Sequence, residues 1–175
     1  MPIIHPSDFV TMPWKNGGGI THEIARVSEG GTLLWRLSMA EVATDGPFSS
    51  FPGLMRILTV IRGAGLVLRT PEGVIEAEPF RPVRFAGDLP VDCSRIAGDV
   101  TDLNVIFDPS RIDARVTRLR GPEEWQATGP AAFLCLAGVI EADGIRLPER
   151  AVATDPGVLS LAPNGSGLLV TLDRI

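Results

Sequence analysis

Only two histidines, His5 and His22, occur in the chain, and that count limits its metal chemistry. Three-histidine ligation is arithmetically impossible, and a two-histidine, one-carboxylate site needs both rings to converge with Glu23 or another acid. Cys93 and Cys135 lie far apart in apolar runs with no Cys-x-x-Cys partner, which argues against zinc and for two reduced core residues. The expectation is therefore no metal and no cofactor. Phosphate-binding motifs fail on context. Gly63-Ala64-Gly65 has Leu68 where a dinucleotide fingerprint needs its third glycine, and the following segment alternates as a strand instead of opening a helix. Asn16-Gly17-Gly18-Gly19 lacks the Gly-Lys-Ser/Thr ending of a P-loop. The Gly-x-Ser-x-Gly pattern of a nucleophile elbow is absent, so Asn164-Gly165-Ser166-Gly167 reads as a turn.

What remains is a set of polar residues inside apolar, alternating runs. In Leu34-Trp35-Arg36-Leu37-Ser38-Met39-Ala40 one face presents Trp35, Leu37 and Met39, and the other Arg36, Ser38 and Ala40. The second face either lines a pocket or meets water. Val100 to Phe107 behaves alike, with Leu103, Val105 and Phe107 on one side and Asp102 and Asn104 on the other. If buried, those polar groups require partners. Asp102 is then either paired with Arg36 or Arg56 or part of a ligand site. Phe48-Ser49-Ser50-Phe51-Pro52-Gly53 leads into a strand beginning near Arg56, and a turn packed by its own two aromatics is the plain reading of that segment.

The elements that must hold these residues are short strands. Nineteen glycines and fifteen prolines punctuate 175 residues of which 45% are apolar, enough for a core. Between them the pattern repeats every two residues. The spacing predicts strands over Leu33 to Val42, Arg56 to Arg62, Gly65 to Thr70, Gly73 to Glu78, Phe80 to Phe85, Val91 to Ile96 and Val100 to Phe107. A second series runs over Ala114 to Leu119, Ala131 to Ile140, Gly144 to Leu147, Val158 to Leu161 and Leu168 to Leu172. Gly121 to Trp125, with Pro122 and two acids, gives the one hint of a helical turn. Leu58 to Gly63 is weakly echoed by Phe133 to Gly138, which would make the chain two antiparallel half-barrels joined by Asp108 to Pro130. Closure into barrels also removes exposed sheet edges.

Composition narrows the partners. The net charge is −5, Lys15 is the only lysine among sixteen basic residues, and these are scattered, so the electrostatic footprint of a nucleic-acid binder is missing. Arginine's planar fork suits carboxylates. The start of the chain has no basic segment followed by an apolar stretch, and no apolar run approaches the ~18 residues of a spanning helix. A cytoplasmic protein with no membrane partner is expected.

Met12-Pro13-Trp14-Lys15-Asn16-Gly17-Gly18-Gly19-Ile20-Thr21, Trp35-Arg36-Leu37-Ser38-Met39-Ala40, Asp45 to Gly53 with Arg56, Phe85-Ala86-Gly87-Asp88 and Thr101-Asp102-Leu103-Asn104-Val105 together resemble the HutD/Ves family in type and order. The likeness is strong over residues 8 to 107 and rests on strand pattern beyond them. It implies an all-β, antiparallel cupin-type barrel or jelly roll, with two cupin halves in one chain, here 1–110 and 111–175. It further implies no metal, no established catalytic activity, and a link to bacterial histidine utilisation, with a formylated or acylated glutamate-like catabolite as ligand. Carried over motif by motif, the ligand-binding residues are Trp14, Lys15, Asn16, Thr21, Arg36, Ser38, Arg56 and Asn104. His22 departs from the pattern.

A small dicarboxylate needs bidentate cations, which Arg36 and Arg56 supply, and orienting amides and hydroxyls, which Asn16, Thr21, Ser38 and Asn104 supply. The leading expectation is a regulatory protein that binds such a carboxylate. A metal-independent enzyme acting on a similar acid is the second; Asp102, Glu23, His22 or Lys15 would be its base or nucleophile. An interaction module with a flat sheet surface, such as a homodimer interface, is the third.

Overall fold

Period-two alternation broken by glycine and proline yields strands and almost no helix in the computed structural model, which describes residues 1–175. A short strand, β1 (Ile3–Ile4), and a 3-10 turn at Pro6–Asp8 come first. Next follow β2 (Val10–Pro13), β3 (Gly19–Glu29), β4 (Thr32–Val42), β5 (Gly46–Pro47) and β6 (Met55–Arg62). After these come β7 (Leu66–Thr70), β8 (Gly73–Ala77), β9 (Val83–Ala86), β10 (Asp92–Arg95) and β11 (Val100–Phe107). The remaining strands are β12 (Ile112–Arg120), β13 (Glu123–Gln126), β14 (Ala131–Ala137), β15 (Ile140–Ala142), β16 (Ile145–Arg146), β17 (Val152–Thr154), β18 (Val158–Leu161) and β19 (Ser166–Arg174).

Two compact units result. The first, Val10–Ile112, holds a six-stranded sheet ordered β2-β3-β4-β11-β6-β9 and a four-stranded sheet ordered β5-β10-β7-β8. Its core joins Val42, Leu58, Val60, Val100 and Phe85 of the larger sheet to Leu66, Leu68, Ala77 and Cys93 of the smaller. The second unit comprises Met1–Phe9 and Asp113–Ile175. It holds a five-stranded sheet ordered β1-β17-β14-β19-β12 and a four-stranded sheet ordered β13-β18-β15-β16. Its core gathers Phe133, Ile140, Leu147, Leu159, Leu161 and Leu169.

Four features depart from the sequence expectations. Residues 1–9, expected with the first barrel, pair instead with the second unit, because Ile3 and Ile4 lie antiparallel to Ala153 and Val152. The helical hint at Gly121 to Trp125 is strand β13, whose backbone pairs with Leu161 through Val158; the ladder outweighs the proline and the acids. The long strand β3 went unforeseen because a bulge between Glu23 and Ala25 breaks its alternation. The strand expected from Ala131 to Ile140 is two, separated at Gly138, which adopts φ 78° and where a Cβ would meet the Asn164 carbonyl at 2.0 Å.

Candidate functional site

The register of the six-stranded sheet builds the site. On β4 and β11, Ser38 faces Asn104, Ala40 faces Asp102 and Arg36 faces Ile106. On the other side of β11, Arg56 of β6 faces Ile106. All of these side chains share one face of the sheet. It is the face that covers the apolar core at its Val42, Val100 and Val60 end, so the alternating polar positions on β4 and β11 point into the sandwich and not to water. Ser38, Asn104 and Arg56 are 3%, 3% and 7% exposed.

The polar end of that face opens into a cavity of about 510 Å³. Trp14, Lys15, Asn16, Thr21, Arg36, Ser38, Arg56 and Asn104, the eight residues singled out in the sequence, all line it. They are joined by Pro13, Ala40, Pro47, Phe48, Ser49, Phe51 and Ile106. The volume is that of a small-molecule site.

Local chemistry fixes the rim. Trp14 donates its indole N–H to Thr21 Oγ1 at 2.8 Å, and Asn16 Oδ1 accepts the Gly18 N–H at 2.9 Å. The chain reverses at Gly17, which has φ 71°. Gly19 must lack a side chain, since a Cβ there would meet the Glu41 carbonyl at 2.4 Å and the Trp14 ring at 3.0 Å. The opposite rim is the Phe48 to Gly53 loop. It is clamped by Gly87, whose carbonyl accepts from Phe51 N–H and whose N–H donates to the Leu54 carbonyl, at 2.8 and 2.7 Å. That clamp explains the Phe85 to Asp88 motif. Phe48 is more than a turn filler, because the Arg56 guanidinium stacks 4.3 Å from its ring centroid and 5.6 Å from that of Phe85.

The two arginines are held differently. Arg36 Nε lies 2.7 Å from Glu23 Oε2 as an ion pair, although the N–H is not aligned for a hydrogen bond. Arg56 Nε donates to Asn104 Oδ1 at 2.8 Å. Asn104 in turn donates its amide to Asp102 Oδ1 in a short contact. Asp102 is fully buried, its Oδ2 has no partner, and it lies behind the cavity wall. Burial raises its pKa to about 6, against the opposing pull of Arg56 and the Asn104 hydrogen bond. Burial also draws the Arg56 guanidinium below its ordinary value, with Asp102 opposing. Each Nε is thus engaged by the protein, while the Nη groups of both arginines make no hydrogen bond or ion pair within it. They are the donors that a carboxylate would use.

Of the other groups considered, His22 points to the opposite face of β3 from Thr21. Its ring sits between Thr11 Oγ1 at 3.0 Å and Glu41 Oε1 at 3.1 Å. No group of three His, Cys, Asp or Glu side chains stands close enough to hold an ion. Burial pushes the Cys93 and Cys135 thiols up to about 12 and about 11, so neither is a ready nucleophile. Sequence reasoning missed two contributions. Phe51 and Phe48 were read as packing. Glu23 was not linked to Arg36, although its two-residue spacing from Thr21 would have put it on the same face had β3 been recognised.

A family model described as HutD matches residues 6–155. A Pseudomonas putida protein described as an uncharacterized 21.2 kDa protein in the hutC 3' region is 34% identical over 145 residues, covering 78% of this chain and 74% of that one. The structure of HutD from Pseudomonas fluorescens SBW25 superposes with a TM-score of 0.89 at 33% identity, over 99% of this chain and 98% of that one. A cupin 2 conserved barrel protein from Leptotrichia buccalis, 11% identical with a TM-score of 0.57 over 89% of each chain, shares the fold.

Proposed function

Because this chain belongs to the HutD family, we propose that its cavity binds a small acidic metabolite, an acylated amino acid of the formylglutamate kind. In this reading, occupancy regulates amino-acid catabolism in the cytoplasm, that of histidine first. The observation that carries the reading is the pair Arg36 and Arg56, both lining one cavity with their Nη groups unengaged. Each fork suits one carboxylate. Between them, Trp14, Phe48 and Phe51 offer apolar surface for a short carbon chain, and Ser38 and Thr21 offer hydroxyls for an acyl oxygen. The hutC 3' location given for the Pseudomonas putida relative supports histidine as the context. Among the groups a catalyst would recruit, Lys15 lines the cavity, whereas Asp102 is sealed behind it and His22 faces away.

Melting the protein with N-formyl-L-glutamate tests the reading. At a hundred times its dissociation constant the ligand should stabilise the fold by ~2.7 kcal/mol. Arg36→Ala and Arg56→Ala should each abolish the shift while the protein stays folded. A shift that survives in both variants would remove the ligand from this cavity.

A further inference from the structure

We propose that carboxylate binding in this pocket is coupled to proton uptake: when an anion settles on Arg56, Asp102, joined to that guanidinium through Asn104, takes one proton from solution. The inference rests on the carboxylate reading above and states how its charge is balanced.

The geometry supplies the reason. Arg36 is neutralised by Glu23 at 2.7 Å. Arg56 has no carboxylate in contact, and its counter-charge is Asp102, one amide away. A ligand carboxylate on the free edge of Arg56 leaves two anions sharing one buried cation. An unpaired buried charge is costly, and the site relieves it by neutralising the weaker-held partner. Asp102 can do so in place. Its Oδ1 keeps accepting from Asn104, and the proton goes to Oδ2, which has no partner. Within the protein only that O–H bond forms, and the bond that breaks is the one from the proton to a buffer acid or hydronium in solution, which leaves as its conjugate base.

Arg56 is the one charged group that acts on Asp102, and Glu23 is held by Arg36 on another strand. Across the ladders Asp102 faces Ala40 of β4 and Val60 of β6. On β10 the Cys93 thiol feels Asp102, Asp45 and Asp92 and stays neutral, with a pKa pushed up to about 12 mainly by burial. Arg36 acts on Arg56 from β4. His22 is bonded to Thr11 and Glu41 on the far face of β3. The sign follows from the raised pKa of Asp102. Below about pH 6 the free protein already carries the proton, so binding recruits none. Above it Asp102 is charged in the free protein, and binding brings a proton in.

Calorimetric titration with N-formyl-L-glutamate at about pH 7, in buffers of unlike ionisation enthalpy, reads the coupling directly. Uptake should approach one proton per ligand, and affinity should weaken by up to about tenfold per pH unit above that point. Binding with buffer-independent heat overturns the coupling and leaves the pocket standing. Failure to bind at any pH overturns the pocket reading and the coupling with it. Asp102→Asn, verified as folded by its circular dichroism, should bind without proton uptake; uptake that persists assigns the proton elsewhere. His22→Gln should retain uptake, and its loss there overturns the assignment to Asp102. Should Asp102→Asn not fold, difference infrared spectra of the wild type detect the same proton: a protonated-carboxyl band must grow on binding, and its absence overturns the proposal.

Discussion

The strand order β4-β11-β6-β9 of the first unit has a counterpart in β12-β19-β14-β17 of the second, and β5-β10-β7-β8 has one in β13-β18-β15-β16. Aligning β6 with β14 through the Leu58 and Phe133 echo sets Ala131, Phe133 and Cys135 against Arg56, Leu58 and Val60. The ladders then carry the comparison one strand further. Thr171, Leu169 and Gly167 pair with β14 as Ile106, Asn104 and Asp102 pair with β6. Where the first unit has a cation, an amide and a carboxylate, the second has a methyl group, a leucine and no side chain at all. The Phe133 ring occupies the space so freed, and a Cβ at Gly167 would lie 2.1 Å from its Cζ. One strand plan thus supports either a filled apolar core or a polar hollow. The residues at a few inward positions decide which, and only the hollow carries groups that folding alone does not need.

Emptying the filled unit should cost most. Phe133→Ala removes a ring that is 0% exposed, and chemical denaturation should show a loss of about 4 kcal/mol. A loss below about 1 kcal/mol would mean that the ring does not carry that core. Making the hollow resemble its counterpart comes next. Asn104→Leu strands both Arg56 Nε and Asp102 Oδ1, so about 3 kcal/mol should be lost despite the added apolar surface. A neutral result would show that the relay contributes nothing to the fold. Gly167→Ala should cost about 2 kcal/mol, because the ring it meets is hemmed in on all sides, and an unchanged melting temperature would contradict the close approach. Lys15→Ala, on the exposed rim, should shift stability by less than about 0.5 kcal/mol. It sharpens the comparison by separating rim from wall.

Much of this was readable from the chain. The inward positions on β4 and β11 follow from alternation, whereas the set of eight residues that meet at one cavity comes from the resemblance to the HutD/Ves family. Alternation could not say whether Arg36 and Ser38 meet water or a hollow. That depends on which side the second sheet covers, a fact set by a core that joins residues as distant as Val42 and Cys93. The Arg36 partner was hidden for a local reason, since Ile24 at the bulge shifts the phase of β3. The second unit offered no chemical signal, only strand pattern. Its Pro122 and paired acids mimic a helix start that hydrogen bonds to Val158 through Leu161 override.

The pairing of β1 with β17 has a consequence for synthesis. Pro2 accepts hydrogen bonds from Thr154, whose side chain is 152 residues downstream. At about 5–20 residues per second, a ribosome releases the opening strand on the order of ten seconds before its mate emerges. During that interval the first unit has all its own strands and can close, while Ile3 and Ile4 wait unpaired. Docking of the leading nine residues is therefore a late event in the life of the nascent chain, and a tag fused ahead of Met1 would act on the completion of the second unit.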